Sequence, residues 1–481
     1  MKNKSLIIGG IVLSLVIVLS IGTYAYWTLT RSQEGENKLI GGCLSIDITE
    51  ESAGISLEKA WPISDFEGMQ LEGYTFEVTN YCEEAQDYRI DLDRLIDSEG
   101  RKEMTNKSLA TLLDYGVPVL YSELETGETT ESDVQEKRVL AYDTVAGKVG
   151  DTPGSNTHTL RIWIDEESDI KDQGSTFLSR VEINAGQGIE KYYTPEECFT
   201  FDASTGSITA YDVSCGGTDV VIPYEIGEVS VTQIGKNAFK EKGITSVEFP
   251  RSVTTIGQTA FQYNPTLEKI IFRDGLTYIG SSSFGNSYFE NKGKLEFVKI
   301  PETVVTLESE AFNKNSIKQI VIPDSVTEII MAFEYNEIKD IKIGSGIVEL
   351  DGFKANFIEK LIIPDNVKSV VPSAFSNNPI KELDLGNGVE ELWNLSFSNN
   401  DLIASTAVGT YPYKENYLKE IFIPKSLTFM DDSVFDSATS DVIIRTEKSK
   451  EDFLTSTEFG SENSWYGDAQ VIDCNGVPIY E

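Results

Sequence analysis

A chain of 481 residues is too long for one core, and its 40% hydrophobic content is that of folded domains rather than of a disordered polymer. The formal net charge of -38 excludes nucleic acid as a partner, since a polyanion is held by a basic footprint. The same charge favours solubility at a crowded surface, and most of it reads as the solvated face of an acidic protein. The run Asp165-Glu166-Glu167-Ser168-Asp169 and the trio Asp91, Asp93 and Asp97 lack the ligand spacing of a calcium loop, so no metal site is expected from them.

The first predicted element is apolar. Lys2 and Lys4 precede an uncharged run from Ser5 to Thr30, and as a helix Leu6 to Trp27 would be roughly 33 Å long, enough to cross a hydrocarbon core. Residues 1–30 are therefore expected to form an N-terminal transmembrane or signal helix, with a linker over 31–40. The lysines then stay in the cytoplasm and everything after Arg31 is exported, with the membrane a partner of the N-terminal segment. Thr23-Tyr24-Ala25 also offers small residues to a signal peptidase, so a membrane-anchored and a secreted form, cleaved near Ala25, both stay open.

Disulfides survive outside the cytoplasm, and the chain has five cysteines. Cys198 and Cys215 flank a candidate hairpin, Phe199 to Phe201 and Ser207 to Tyr211 about the turn Asp202 to Gly206, and are expected to pair. The pairing of Cys43, Cys82 and Cys474 stays open; a Cys43–Cys82 bridge would leave Cys474 odd. Ile40-Gly41-Gly42-Cys43 looks like a lipobox, but the charged stretch Arg31 to Lys38 separates it from the apolar run.

Residues 41–190 show strand-like alternation without a repeat: Tyr74 to Thr79, Tyr88 to Leu92, His158 to Ile164 and Phe177 to Ile183, divided by polar turns such as Asp151-Thr-Pro-Gly154. An antiparallel β-sandwich is the fold class this predicts. Residues 191–217, with the cysteine hairpin, would connect the sandwich to the repeat-bearing half of the chain and cap the first coil there.

From about residue 218 one phrase recurs to about 446. Ile317-Lys-Gln-Ile-Val-Ile-Pro323, Ile358-Glu-Lys-Leu-Ile-Ile-Pro364 and Leu418-Lys-Glu-Ile-Phe-Ile-Pro424 are three copies. Each copy runs on to a phenylalanine: Phe239, Phe261, Phe284, Phe312, Phe333, Phe353, Phe375, Phe397 and Phe435, at intervals of 22, 23, 28, 21, 20, 22, 22 and 38. The Ile-x-Ile part alternates and reads as a short strand, ended by a proline that cannot donate to a ladder. One copy cannot bury its apolar side, whereas stacked copies can. Asn264, Asn315, Asn336, Asn356, Asn378 and Asn400 stand three residues after the phenylalanine, placed to hydrogen-bond the turn backbone of their own and neighbouring coils. The closing segment, 447–481, reads as a C-terminal cap.

The phrase Ile-Pro-x-x-Val-x-x-Ile-x-x-x-Ala-Phe resembles the BspA-like leucine-rich-repeat family, with Arg273, Gly344 and Gly386 departing from the proline. The resemblance implies a leucine-rich-repeat solenoid on an exported surface protein that acts as an adhesin, its partner a host or bacterial surface protein or glycan. Gly22 to Trp27, Gly42 to Asp47 and Tyr74 to Asn80 are similar to the camelysin/TasA family of exported biofilm-fibre proteins. That implies a β-sandwich and, as the alternative function, a structural part of an extracellular matrix or fibre.

No chemistry announces itself. His158 is the one histidine and sits in a strand pattern; no metal-binding or phosphate-loop motif occurs, and no cofactor is expected. Nothing singles out a carboxylate pair for polysaccharide hydrolysis among so many acids, so the expected function is non-enzymatic. The middle residue of Ile-x-Ile points away from the core, which would align Glu248, Ile271, Lys299, Val321, Lys342, Ile362, Asp384 and Phe422 on an outer sheet face. Ile271, Val321, Ile362 and Phe422 gain nothing from facing water and are the candidate ligand contacts. Tyr411, Tyr413 and Tyr417 in the insertion after Phe397, and Tyr288 and Phe289 in the one after Phe284, would frame that row with residue types favoured at binding hot spots.

Overall fold

The computed structural model describes residues 44–47, 55–58, 62–71, 73–98, 109–113, 117–129, 132–168, 176–185, 191–286, 292–398, 420–435, 442–459, 466 and 469–480. They divide into two compact units, the first within residues 1–191 and the second within 192–481, to which 115–117 also belong.

The first unit is a β-sandwich. One sheet has the order Leu44–Asp47, Tyr74–Asn80, Gly154–Asp165, Leu109–Leu113 and Val119–Leu120, with Pro62–Ile63 lying parallel beside the end of Gly154–Asp165. The other runs Ile55–Glu58, Thr176–Ala185, Gln86–Leu95, Val134–Val145 and Glu125–Gly127, antiparallel throughout. Alternation sends Tyr74, Phe76 and Val78 from one sheet and Tyr88, Ile90 and Leu92 from the other into a shared core. Trp163 points the opposite way, beneath the short helix Asp65–Gly68, where a Cβ on Gly68 would stand 2.3 Å from the indole.

The second unit is a solenoid whose coils each contribute two short parallel strands. The first strand of a coil is the Ile-x-Ile phrase, as in Ser246–Glu248 beside Lys269–Ile271 and Gln319–Val321 beside Asp340–Lys342. The second is a two-residue strand, as in Thr255–Ile256 beside Tyr278–Ile279 and Glu349–Leu350 beside Ser369–Val370. Between the strand ladders runs a column of rings: from Phe239 to Phe435 successive phenylalanines stack at 4.5–5.8 Å between centroids with planes within 10°. Phe397 and Phe435 are 38 residues apart in sequence, yet their rings stack at 5.4 Å.

The hairpin of Phe199–Asp202 and Ser207–Tyr211 stands at the start of the column, its second strand parallel to Gln233–Ile234 and Tyr211 4.9 Å from Phe239. Cys198 and Cys215 are joined by a disulfide with Cα atoms 5.3 Å apart. Cys82 is disulfide-bonded, Cys474 is free and exposed, and Cys43 lies outside the described residues. At the far end the ladders run on past residue 446, through Glu458–Phe459 and Gln470–Ile472.

The N-terminal helix is the expectation to correct. Residues 1–30 fall outside the described residues, and among the described residues no helix is long and apolar enough to cross a membrane. The longest, Lys450–Ser456 with seven residues, spans about 10 Å against a hydrocarbon core of about 30 Å. The described fold is mainly β, a sandwich and a leucine-rich-repeat type solenoid. A transmembrane or signal helix as part of the fold class, the membrane as a partner and membrane anchoring as the localisation are withdrawn.

Candidate functional site

Strand register defines the outer face of the first ladder. Val221 stands beside Glu248 and Glu248 beside Ile271; Val321 pairs Lys342, Ile362 pairs Asp384, Phe422 pairs Arg445 and Arg445 pairs Ile472. The bond from Lys318 N–H to Glu296 O, equivalent to that from Glu268 N–H to Thr245 O, carries the register through Lys299. The candidate residues Ile271, Val321, Ile362 and Phe422 stand at the equivalent outward place in the first strands of their coils, with the charged Lys299, Lys342 and Asp384 at that place in the coils between them. Read in coil order the column is Val221, Glu248, Ile271, Lys299, Val321, Lys342, Ile362, Asp384, Phe422, Arg445 and Ile472, apolar and charged in strict alternation. A period of two coils is invisible in a single repeat.

Burial along the strands separates the two faces. Ile320, Ile322, Leu361, Ile363, Ile421 and Ile423 are at most 1% exposed, whereas Ile362 and Phe422 are 58% and 54% exposed. Ile271 and Val321 are partly buried. Tyr288, Phe289, Tyr411, Tyr413 and Tyr417 lie outside the described residues. Glu248 is held by the buried Arg273, whose guanidinium donates to its carboxylate at 2.7 Å, so the arginine that replaces proline in the next coil pairs with one charged step of the column. At Gly344, a second departure from proline, a Cβ would approach Pro323 O to 2.4 Å.

Exposed ion pairs between neighbouring coils border this face: Lys294 with Glu268 and Lys318 with Glu296 at 2.6 Å, and Lys381 with Glu359 at 2.7 Å. Each is worth well under about 1 kcal/mol in water.

The turns opposite the strands are built by asparagine. Asn336 Nδ2 donates at 3.0 Å to the carbonyls of Phe312 and Phe333, and its Oδ1 accepts Ile317 N–H at 3.2 Å. Asn264, Asn356 and Asn378 make the same bonds in their coils. These side chains are buried and consumed by backbone, which makes them structural; Asn400 lies outside the described residues. Sequence reasoning missed the backbone that accompanies them. Most residues two before the phenylalanine, among them Thr259, Glu310 and Leu395, and two after it, among them Tyr263, Lys314 and Tyr335, have positive φ, from 43° at Met331 to 64° at Ser373, a left-handed conformation costly for side chains with a Cβ.

Two coils are shorter. Phe333 follows Ile329 by four residues and Phe353 follows Leu350 by three, where other coils have five. There Asp351 accepts Met331 N–H at 3.1 Å, and Glu334 is enclosed beside it. Burial and the neighbouring Asp351 push the Glu334 carboxyl up to about 7, and burial raises Asp351 as well.

In the sandwich, His158 is fully buried between the sheets. Its Nε2 lies 2.6 Å from the Tyr88 hydroxyl, which accepts Asn156 Nδ2–H at 2.9 Å and faces Asp143 Oδ2 at 3.4 Å. On the outward side of the strand that carries Tyr88, Asp91 takes a bidentate pair from Arg89, both bonds 2.8 Å, and a bond from Asn184 at 2.9 Å. Asp93 lies 3.5 Å from Lys137 and 3.3 Å from Arg180, yet burial outweighs both cations and pushes its carboxyl up to about 6. No set of three or more His, Cys, Asp or Glu side chains able to hold a metal occurs among the described residues.

Residues 225–288 and 283–404 match the model of the BspA type leucine rich repeat region. No curated protein matches the chain. Among solved structures the chain is similar to a leucine-rich repeat protein from Bacteroides ovatus, at 22% identity over 58% of this chain and 67% of that one, with a TM-score of 0.42. It is also similar to the T. pallidum leucine rich repeat protein, at 21% identity over 47% of this chain and 99% of that one, TM-score 0.31. A leucine rich cell surface protein from Faecalibacterium prausnitzii matches at 19% identity over 56% of this chain and 95% of its own, TM-score 0.23. The family match lies within the solenoid, over residues 225–404. The family match begins at residue 225 and does not reach the sandwich, and nothing in these matches supports the camelysin/TasA resemblance.

Proposed function

We propose that this chain is a non-enzymatic bacterial surface protein, an adhesin whose leucine-rich-repeat solenoid presents the outer face of its first ladder to a host or bacterial surface protein or glycan. The observation that carries this reading is the pair Ile362 and Phe422, more than half exposed on strands whose neighbouring residues are fully enclosed. Packing dictates the enclosed set and does not require an isoleucine and a phenylalanine in water, and we read their recurrence on one face as the trace of a partner. The BspA-type repeats matched over residues 225–288 and 283–404 support the same placement. The tyrosines at 411, 413 and 417, with Tyr288 and Phe289, stand in the two insertions of the repeat and are proposed as further ligand contacts from their residue type alone.

The competing reading is a structural matrix or fibre component, which rests on the strands of the sandwich alone. The two separate in one experiment on the full chain: its state of association is measured by sedimentation, and its binding is read on an array of matrix proteins and glycans. The adhesin reading expects a dispersed chain that binds a defined subset. Spontaneous fibres with no array binding would contradict it.

A further inference from the structure

In the sandwich, the outward side of the strand Gln86–Leu95 buries charge instead of exposing it. The side chains of Asp91 and Asp93 are fully enclosed, and that of Lys137 on the neighbouring strand is nearly so. Lys137 is the register partner of Asp93, while Glu182 and Arg180 stand beside Asp91 and Asp93 on Thr176–Ala185. The lysine reaches across Gln86–Leu95. Its Nζ lies 3.5 Å from Asp93 Oδ1 and 3.9 Å from Asp91 Oδ2, and it contacts the Glu182 carboxylate.

Three cations, Arg89, Lys137 and Arg180, here meet the carboxylates of Asp91, Asp93 and Glu182, which would suffice for ordinary ion pairing. One atom is left over. Asp91 is hydrogen-bonded by Arg89 and Asn184, and Asp93 Oδ2 by Arg180. Asp93 Oδ1 is buried without a hydrogen bond and faces the lysine amine. Such an oxygen is costly, and burial favours the neutral forms of an acid and an amine. Burial pushes the Asp93 carboxyl up to about 6 against the pull of Lys137 and Arg180. Burial alone would lower Lys137, but Glu182 and Asp93 outweigh it and hold the proton on the amine. That proton must leave before the nitrogen can act as a nucleophile. Glu182 touches the amine and neighbours Asp93, so it can take the proton from one and give it to the other.

We propose that Lys137 and Asp93 condense into an intramolecular amide that ties the strands Val134–Val145 and Gln86–Leu95 together. Nζ bonds to the Asp93 Cγ, one carbon–oxygen bond of that carboxyl breaks, and the oxygen leaves as water. Of the three ammonium protons one stays on the amide and two depart with the water, carried by Glu182, which ends unchanged. No oxidant or outside reactant is consumed. The product removes one buried cation and one buried anion together, and Asp133 remains as a partner of Arg180.

The full chain is held at neutral pH, then unfolded, digested with trypsin and read by tandem mass spectrometry. The expected result is a branched peptide joining Lys137 to Asp93, one water lighter than its two parts, with cleavage after Lys137 lost. Lys137→Arg keeps the cation without this nucleophile, and Glu182→Gln keeps the shape without the base. Neither is expected to give the branched peptide, melting of the sandwich verifying that each is folded. The unaltered chain decides by itself whether the bond exists, so that reading does not depend on a variant. A free Lys137 amine in the unaltered chain, or a branch at Asp91 or Glu182, would overturn the proposal and leave an ion-pair network. A bond formed as fully in Glu182→Gln would overturn the proton route.

Discussion

The two units solve one problem, the burial of polar groups, in opposite ways. The sandwich uses single assemblies: Tyr88, His158, Asn156 and Asp143 inside the core, and Asp91, Asp93, Lys137, Arg180 and Glu182 on the other side of the sheet, each member fixed by partners far away in sequence. The solenoid repeats one device in five of its described coils, an asparagine bonded to the phenylalanine carbonyls of its own coil and the one before. A network of unlike parts is specified only by the whole fold, whereas a ladder of like parts is specified by its spacing. Loss of one member should therefore act differently in the two units.

The largest effect is expected in the ring column. Phe312→Ala removes a ring stacked on both Phe284 and Phe333, at a cost of about 3–5 kcal/mol. Because coils touch only neighbours, hydrogen exchange should show protection lost in the adjoining coils and recovering with distance; a variant with wild-type protection throughout would mean the ring is not core. Asn336→Ala should cost about 2–4 kcal/mol, since Ile317 N–H and two carbonyls lose their partner, again with graded local exchange. Asn156→Ala in the sandwich, by contrast, should lower its melting as one cooperative transition.

A pH titration sharpens the contrast within the solenoid. Glu334 has an ordinary value of 4.5 and is pushed up to about 7. Between those values the folded chain binds more protons than the unfolded one, so this group's contribution falls as pH rises through that window, by at most about 3 kcal/mol. Glu334→Gln should flatten the slope of solenoid stability between pH 5 and 7, measured by denaturant titration; an unchanged slope would place the titration elsewhere. The smallest effect expected is a gain. Leu395 has φ 59°, and Leu395→Gly should relieve left-handed strain and raise stability by up to about 1 kcal/mol, less whatever packing the leucine supplies.

The repeat was legible because its physics is local in sequence. Leu/Ile-x-x-Ile-x-Ile states both the strand and its inward face, and nine phenylalanines at intervals of 20 to 23 residues, two of them lengthened by insertions to 28 and 38, imply stacked coils. The asparagine role was equally readable, since an amide three residues after six of the nine phenylalanines is placed at equivalent turns whose backbone needs partners. In the sandwich the strands near Tyr74, Tyr88, His158 and Phe177 could be located, but not their partners: nothing near Arg89 or Asp91 names Asn184. The outer column was half legible. Its members follow from alternation in each coil, but the apolar and charged order emerges only when register places Glu248 beside Ile271 and Ile362 beside Asp384. The left-handed residues flanking each phenylalanine escaped because Thr259, Glu310 and Leu395 are not residue types that signal φ above zero.

The central claim is that the outer column binds while the enclosed residues only hold it in place. Its most direct test is the full chain with Val321, Ile362 and Phe422 replaced together by serine, compared with the unaltered chain for binding to the surfaces it recognises and for thermal melting. The account predicts melting within a few degrees of the original and binding reduced at least tenfold. Undiminished binding by the folded triple variant would contradict it and move the site to the sandwich.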